Sequence, residues 1–412
     1  MNHEPNIFRG CVMMFRIGIV NCMLVIALTS HVHAEPLQFE TQELAERLTV
    51  GYAVRAIDMN DDGRPDIVVL DSKRLIWLEN PTWKLHTVYA TPDARFDNVC
   101  FAPADIDGDG DRDFALGADW QFGNTRSGGT IGWLEQKAQD SWIYHSISSE
   151  PTTHRMRWMN VGETGSPKLI VAPLKGRGTT APGFAEAGVR LLAFSIPADP
   201  TIDPWPSSVL TDSLHVMHNI DICDLDADGQ NDLLAASFEG VHWLSSSDGQ
   251  NWTALHIGEG DQERPAPKLG SSEIRLGRLA DKTPVVATIE PWHGDRVVTY
   301  HPADSLRTMW NRFVLDADLA WGHAVAFANL DDDPDEELVI GVRDNLSDAH
   351  RSGVRVYDPV EASAGKWNRT IVDPGGVAVE DLATGDFDQD GKVDIVAVGR
   401  KTKNIRIYWN RP

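Results

Sequence analysis

Short apolar runs recur along the chain, each entered by a cluster of acidic and turn-forming residues. Seven can be aligned: Ile67-Val-Val-Leu70, Phe114-Ala-Leu-Gly117, Leu169-Ile-Val-Ala172, Leu233-Leu-Ala-Ala236, Val285-Val-Ala-Thr288, Leu338-Val-Ile-Gly341 and Ile395-Val-Ala-Val398. Their length and flanking turn residues predict strands buried on both faces rather than helical segments. A second pattern keeps the same beat. Trp83, Trp142, Trp205, Trp252, Trp310 and Trp367 each precede a run in which apolar and polar residues alternate, as in Lys84 to Tyr89 and Asn368 to Val372. Period-two alternation predicts a half-buried outer strand. The six indoles are read as packing between repeated units rather than as sugar platforms.

The acidic clusters have a pattern of their own, D-x-[D/N]-x-D-G-x-x-D. Four copies are clean: Asp58, Asn60, Asp62 and Asp66; Asp105, Asp107, Asp109 and Asp113; Asp224, Asp226, Asp228 and Asp232; Asp386, Asp388, Asp390 and Asp394. A fifth, Asn329, Asp331, Asp333 and Glu337, has Pro334 where Gly is expected. Worn copies at Val161 to Lys168 and Leu279 to Pro284 keep the following strand and lose the carboxylates. Alternate oxygen ligands around a tight glycine turn suit Ca²⁺, which takes 6–8 oxygens. A repeat of about 50 residues signals a propeller or solenoid.

Seven units predict an all-β, seven-bladed β-propeller over residues 35–412. The last unit, ending with Asn404 to Trp409, lacks an outer strand, and Phe39 to Leu44 is a spare one at the other end. The N-terminal strand is therefore expected to close the ring and leave only protected sheet edges. Residues 1–34 read as an export signal: Arg9 and Arg16, an apolar run from Ile17 to Leu28, and Val32-His-Ala34 before Glu35. A retained N-terminal anchor is the alternative; Cys22 does not resemble a lipidation site. The reading is a secreted or periplasmic bacterial protein without a membrane span once the signal is removed. Cys100 and Cys223 are expected to be buried thiols without a disulfide, which an export signal alone does not require. A net charge of −24 argues against nucleic acid and anionic lipid as partners.

Within a blade, strands run A to D from axis to rim, and the calcium loop joins A to B. The B–C loops then gather at the opposite mouth. Those at Asp119 to Gly129, Leu174 to Gly188 and Arg343 to Ser352 are long, whereas Asp71 to Lys73 is tight. Uneven loops on a rigid scaffold are where ligand sites form. Six residues before each acidic loop stand Tyr52, Val99, His154, His218, about Ser272, His323 and Glu380. His293 lies at a B–C turn. Three histidines and a glutamate at one structural phase should meet in a central funnel, where imidazoles transfer protons or hold a divalent metal. Asp119, Trp120, Lys175, Arg177 and Arg343 are further rim contacts. No phosphate loop, His-Glu-x-x-His or nucleophile elbow occurs.

The acidic repeats resemble those of the FG-GAP/VCBS propeller families. A narrower resemblance rests on Gly132-Trp-Leu-Glu135 with His154-Arg155, Leu214-His-Val-Met-His218, Trp292-His-Gly294 with Val297 to Tyr300, and His323 with Gly353-Val-Arg-Val-Tyr357. These stretches are similar to the propeller domain of aldos-2-ulose dehydratases, which eliminate water from keto-sugars. The resemblance implies a funnel site with histidine chemistry and a bound metal, His154 as base, and His218, His293 and His323 as metal or substrate groups. That family's cupin and lectin-like domains have no counterpart in the sequence. The same polar mouth would also serve a non-catalytic glycan-binding propeller, and a flat apolar one would serve a protein-interaction propeller.

Overall fold

The protein is described by a computed structural model, in which residues 37–411 are placed apart from 93–94, 139, 162–166, 332 and 346–350. The expected export segment and most of the worn loop after Val161 lie outside the described residues. So does the middle of the loop after Arg343.

Among the described residues the strands form seven four-stranded antiparallel sheets. The chain opens with β1 (Gln38–Glu43). The first blade then follows as β2 (Gly51–Ile57), β3 (Asp66–Asp71), β4 (Arg74–Glu79) and β5 (Lys84–Ala90). The second is β6 (Cys100–Ala104), β7 (Asp113–Ala118), β8 (Thr130–Ala138) and β9 (Ser141–Ser149), and the third is β10 (Thr153–Asn160), β11 (Pro167–Pro173), β12 (Leu191–Ser195) and β13 (Ser207–Thr211). The fourth comprises β14 (Asn219–Cys223), β15 (Asp232–Ser237), β16 (Gly240–Ser245) and β17 (Thr253–Gly258). The fifth comprises β18 (Ile274–Arg278), β19 (Pro284–Glu290), β20 (Arg296–His301) and β21 (Asn311–Asp316). The sixth is β22 (Gly322–Ala328), β23 (Glu337–Val342), β24 (Gly353–Glu361) and β25 (Lys366–Ile371), and the seventh holds β26 (Val379–Gly385), β27 (Asp394–Gly399) and β28 (Ile405–Arg411). The seventh sheet has the order β1-β28-β27-β26, with Gln38 opposite Arg411 and Glu43 opposite Arg406.

The second strands are buried along their whole length, as in Asp66–Asp71 and Glu337–Val342, except that β11 begins with the partly buried Pro167 and Lys168. That is why these runs are uniformly apolar instead of alternating. The outermost strands are largely exposed on alternate residues, as in Lys84–Ala90. The cores lie between blades rather than inside them. Ile67, Val69 and Ile76 of the first blade pack with Val396, Val398 and Ile407 of the seventh; Leu233 and Ala235 of the fourth pack with Ile170 and Leu191 of the third. The tryptophan marks serve these seams: Trp83, Trp205, Trp252, Trp310 and Trp367 each sit in the seam toward the preceding blade. Each buried aliphatic side chain contributes about 1.5–3 kcal/mol. Replacing one such as Ile67 by Ala should cost about 2–5 kcal/mol. Cys100 is buried and its thiol is pushed up to about 12 by burial, whereas Cys223 is only partly buried; both are free.

Candidate functional site

A cavity of about 260 Å³ opens at the mouth opposite the acidic loops. The first strands of the blades contribute Tyr52, His154, Arg155, His323 and Glu380, and His218 immediately precedes β14. The loops after the second strands contribute Trp120, Phe122, Leu174, Trp292, His293, Arg343 and Arg400, and Trp321 comes from the connection into the sixth blade. Four of the strand residues share a backbone device. The pairing register shifts between Gly51 and Ala53, Thr153 and Arg155, Gly322 and Ala324, and Val379 and Asp381. The residues skipped are Tyr52, His154, His323 and Glu380. A β-bulge turns one side chain out of the strand's alternation, and here four bulges aim their residues at one axis.

The imidazoles are held in defined tautomers by what their Nδ1 atoms touch. His154 Nδ1 donates to the carbonyl of His218 at 3.0 Å, and His323 Nδ1 donates to that of Glu380 at 2.7 Å. His218 Nδ1 lies 2.8 Å from Glu273 Oε1. Each of the three therefore carries its lone pair on Nε2: that of His323 is left for the cavity, that of His154 lies 3.2 Å from Arg155 Nη1, and that of His218 is engaged by His293. His293 Nε2 is 2.7 Å from His218 Nε2 and donates to it, so its Nδ1, buried with no partner among the described residues, is the lone-pair nitrogen. His293 is sandwiched between Trp292, with ring centroids 4.4 Å apart, and Trp321, 5.0 Å apart. It holds a φ of 48°, and Trp321 a φ of 60°. Left-handed backbone at bulky residues costs energy and clusters at functional sites.

Burial, with arginine and histidine neighbours behind it, holds His154, His293 and His323 well below the usual imidazole range. His218 is lowered less because the Glu273 carboxylate opposes burial. All four are therefore neutral near pH 7. Glu380 is pushed the other way: burial raises it although Arg400 lies 2.5 Å and Arg343 3.6 Å from its oxygens. Glu273 is held low chiefly by His218 and Arg155 against its burial.

His218, His293 and His323 each offer one nitrogen, all within 4.8 Å of one another. A divalent metal of borderline softness fits this set, since neutral imidazoles with a carboxylate or carbonyl behind them are its usual ligands. The orphaned nitrogen of His293 is consistent with such a ligand. At the opposite end, first, third and ninth loop positions approach one another in three copies: Asp105, Asp107 and Asp113; Asp224, Asp226 and Asp232; Asp386, Asp388 and Asp394. The loops are shaped by their own carboxylates. Asp58 accepts from the backbone N–H groups of Asp62 and Gly63, and Asp62 accepts from that of Arg64. Burial raises Asp66, Asp113, Asp232 and Asp394 to about 6 and Glu337 to about 8. Carboxylates so crowded and desolvated, with only oxygen to offer, fit Ca²⁺.

The structure brings together His154, His218, His293, His323, Trp120, Arg343 and Glu380, and keeps other expected rim residues apart. Val99 and Ser272 are buried beside the funnel but do not line it. Asp119 stands outside the cavity and accepts from the N–H of Phe96 at 3.3 Å. Lys175 lies beneath the wall: its ammonium donates to the Phe122 carbonyl at 2.7 Å and sits 3.5 Å from that ring's centroid. Burial lowers it to about 8. Arg177 pairs with Glu150, and His215 with Glu239. Four groups escaped sequence reasoning: Glu273, Arg400, Trp321 and Phe122. Arg400 follows its second strand as Arg343 does, a signal that comparing strand ends across blades would have found. The other three left no pattern.

Residues 128–303 match the family described as aldos-2-ulose dehydratase, beta-propeller domain, and residues 58–116 match the FG-GAP-like repeat. The first match takes in His154, His218 and His293 and stops short of His323. No curated protein matches the chain. Among solved structures, BBS1N in complex with ARL6DN is 12% identical with a TM-score of 0.53, covering 91% of this chain and 97% of that one. A chain of the mitotic checkpoint complex is 9% identical with a TM-score of 0.54, covering 99% of both. At such identities the likeness is one of fold.

Proposed function

We propose that this propeller is a lyase that removes water from a keto-sugar in the funnel, and that calcium in the opposite loops is structural. The observation that carries the reading is the convergence of four neutral, tautomer-fixed histidines in one aromatic-walled cavity. The family match over three of them supports a keto-sugar as the substrate class. Elimination beside a carbonyl needs a base for the α-proton, an electrophile for the developing enolate and an acid for the departing hydroxyl. His154 presents an unprotonated Nε2 and takes the α-proton. The C–O bond breaks as the C=C bond forms, and the proton taken by His154 passes to the leaving oxygen, while Glu380, held by Arg400 and Arg343, orients the substrate. The products are water and an enone. Arg343 and Arg155 stand where negative charge would develop. A metal held by His218, His293 and His323 would polarise the carbonyl. Trp120, Trp292 and Trp321 would pack against the sugar ring and exclude water.

The remaining expectations complete this reading. Residues 1–34 export the chain to the periplasm or beyond, β1 closes the ring, and the calcium loops clamp the A–B turns. A second reading, a glycan-binding propeller without turnover, is favoured by the aromatic walls. The deciding experiment is incubation with 1,5-anhydrofructose or a related keto-sugar while ultraviolet absorbance is followed. A growing enone band supports the lyase. Glycan binding without turnover on any keto-sugar would select the second reading.

A further inference from the structure

The acidic loop of the sixth blade looks like a damaged copy, with Asn329 for Asp at its first position, Pro334 for Gly and Glu337 for Asp at its ninth. Its geometry differs from the others in a more specific way. The acids that approach one another are Asp331, Glu337 and Asp358. Asp358 belongs to β24, not to the loop. Asn329 is turned inward, donating its amide to the Asp333 carbonyl.

The cause lies in a single backbone donor. In three of the four regular blades the ninth-position carboxylate is satisfied by two backbone N–H groups, while Asp232 of the fourth accepts from that of Leu225 at 3.1 Å. Asp66 accepts from the N–H of Met59 at 2.9 Å and of Asn80 at 2.7 Å. Asp113 accepts from Ile106 at 2.9 Å and Gln136 at 2.9 Å, and Asp394 from Phe387 at 3.0 Å and Asn410 at 2.8 Å. Leu338 pairs with Tyr357 as Phe114 pairs with Leu134 and Ile395 with Tyr408. The residue at the place of Gln136 and Asn410 is therefore Pro359, which has no N–H to give. Glu337 accepts from Leu330 through Oε2 at 2.5 Å, and its Oε1 is buried with no partner among the described residues. The residue is 0% exposed. A buried carboxylate oxygen left without a donor is costly. Beside it stands another acid: where the first two blades have Glu79 and Glu135, each engaged by a histidine, the sixth has Asp358, which lies opposite Asn368 across the strand pair.

We propose that the sixth blade carries a divalent-cation site built by Asp331, Glu337 and Asp358, in which the ion takes the place of the donor that Pro359 removes. The ligand class is a hard cation, since all three groups are carboxylates. The site shares its ion with the calcium reading of the regular loops but differs from them in composition, with its third acid coming from β24.

The test uses the full chain without its export segment, dialysed against chelator and titrated with CaCl₂ while bound ions are counted. Asp358→Asn and Glu337→Gln should each bind one Ca²⁺ fewer than the unaltered protein. Asp335→Asn, which changes a carboxylate that accepts from the Ala280 N–H instead, should bind the full number. Glu337→Gln keeps the side chain's size and removes only its carboxylate, so it tests the site even if Asp358→Asn disturbs folding. An unchanged count in both variants overturns the proposal, and Glu337 then holds a proton in place of an ion. Binding confined to the regular loops sinks this site alone, whereas a chain that takes up no calcium sinks both readings.

Discussion

The two ends of the propeller hold their ionisable groups against ordinary protonation in opposite directions. At the funnel, burial and neighbouring guanidinium groups press His154, His293 and His323 toward the neutral base. At the loops, burial and neighbouring carboxylates press Asp66, Asp113, Asp232, Asp394 and Glu337 toward the neutral acid. The loops achieve this by repeating a local motif. The funnel achieves it once, with one residue from each of several blades. A cation would relieve both ends, but a lost ligand should cost fold stability at the loops and chemistry at the funnel.

The comparison breaks most sharply at His154. His154→Ala should lower turnover of a keto-sugar by about 10²–10⁴-fold, the usual contribution of a general base. Its melting temperature should stay nearly unchanged, because the side chain faces a cavity rather than a seam. A parallel loss of stability would place His154 with the structural residues. Calcium removal should do the reverse. Each occupied site contributes about 2.7 kcal/mol at a free ion concentration one hundred times its dissociation constant, so chelator should lower the melting temperature by several degrees. A melting curve that chelator does not move would strip the loops of that role.

Acid should weaken the fold through groups belonging to neither end. His242 and His301 are buried in third strands and lowered to about 4, chiefly by burial. Unfolded, they bind protons near pH 6.5. The unfolded chain therefore holds more protons between about pH 6.5 and 4, and stability falls as pH falls through that window. Denaturant titrations at pH 7 and pH 4.5 check this. Replacing both residues by Gln should shrink the difference, and an undiminished one would assign the effect to other groups. The smallest effect belongs to Asp119→Asn. Asn tolerates the left-handed backbone at this position, where φ is 58°, and the residue does not line the cavity. Stability should stay within about 0.5 kcal/mol and turnover should be unaltered; a large loss of turnover would extend the site to the rim.

The blade count, the seam tryptophans and the convergence of His154, His218 and His323 could be read from the sequence, because each is a repeating phase and phase is local; His293 was found instead by its place at a B–C turn. Lys175 and Asp119 misled because a loop's position in the chain does not say which of its residues faces the axis. Asp358 was hidden because its partner in the sixth blade lies across a strand pair, and its meaning depends on a proline beside it. Glu273 neighbours Ser272, where the phase pointed, but only the folded chain brings its carboxylate to His218.

What the sequence determined by itself is the seven-fold beat: apolar second strands, alternating outer strands and acidic turns, all fixed by short-range periodicity. The tertiary structure decided how that beat becomes a site. Bulges at Tyr52, His154, His323 and Glu380 turn side chains toward the axis, and a bulge is a register mismatch between two strands that neither strand encodes alone. Burial then fixes the protonation of the assembled groups, and burial belongs to the assembled blades rather than to any one of them.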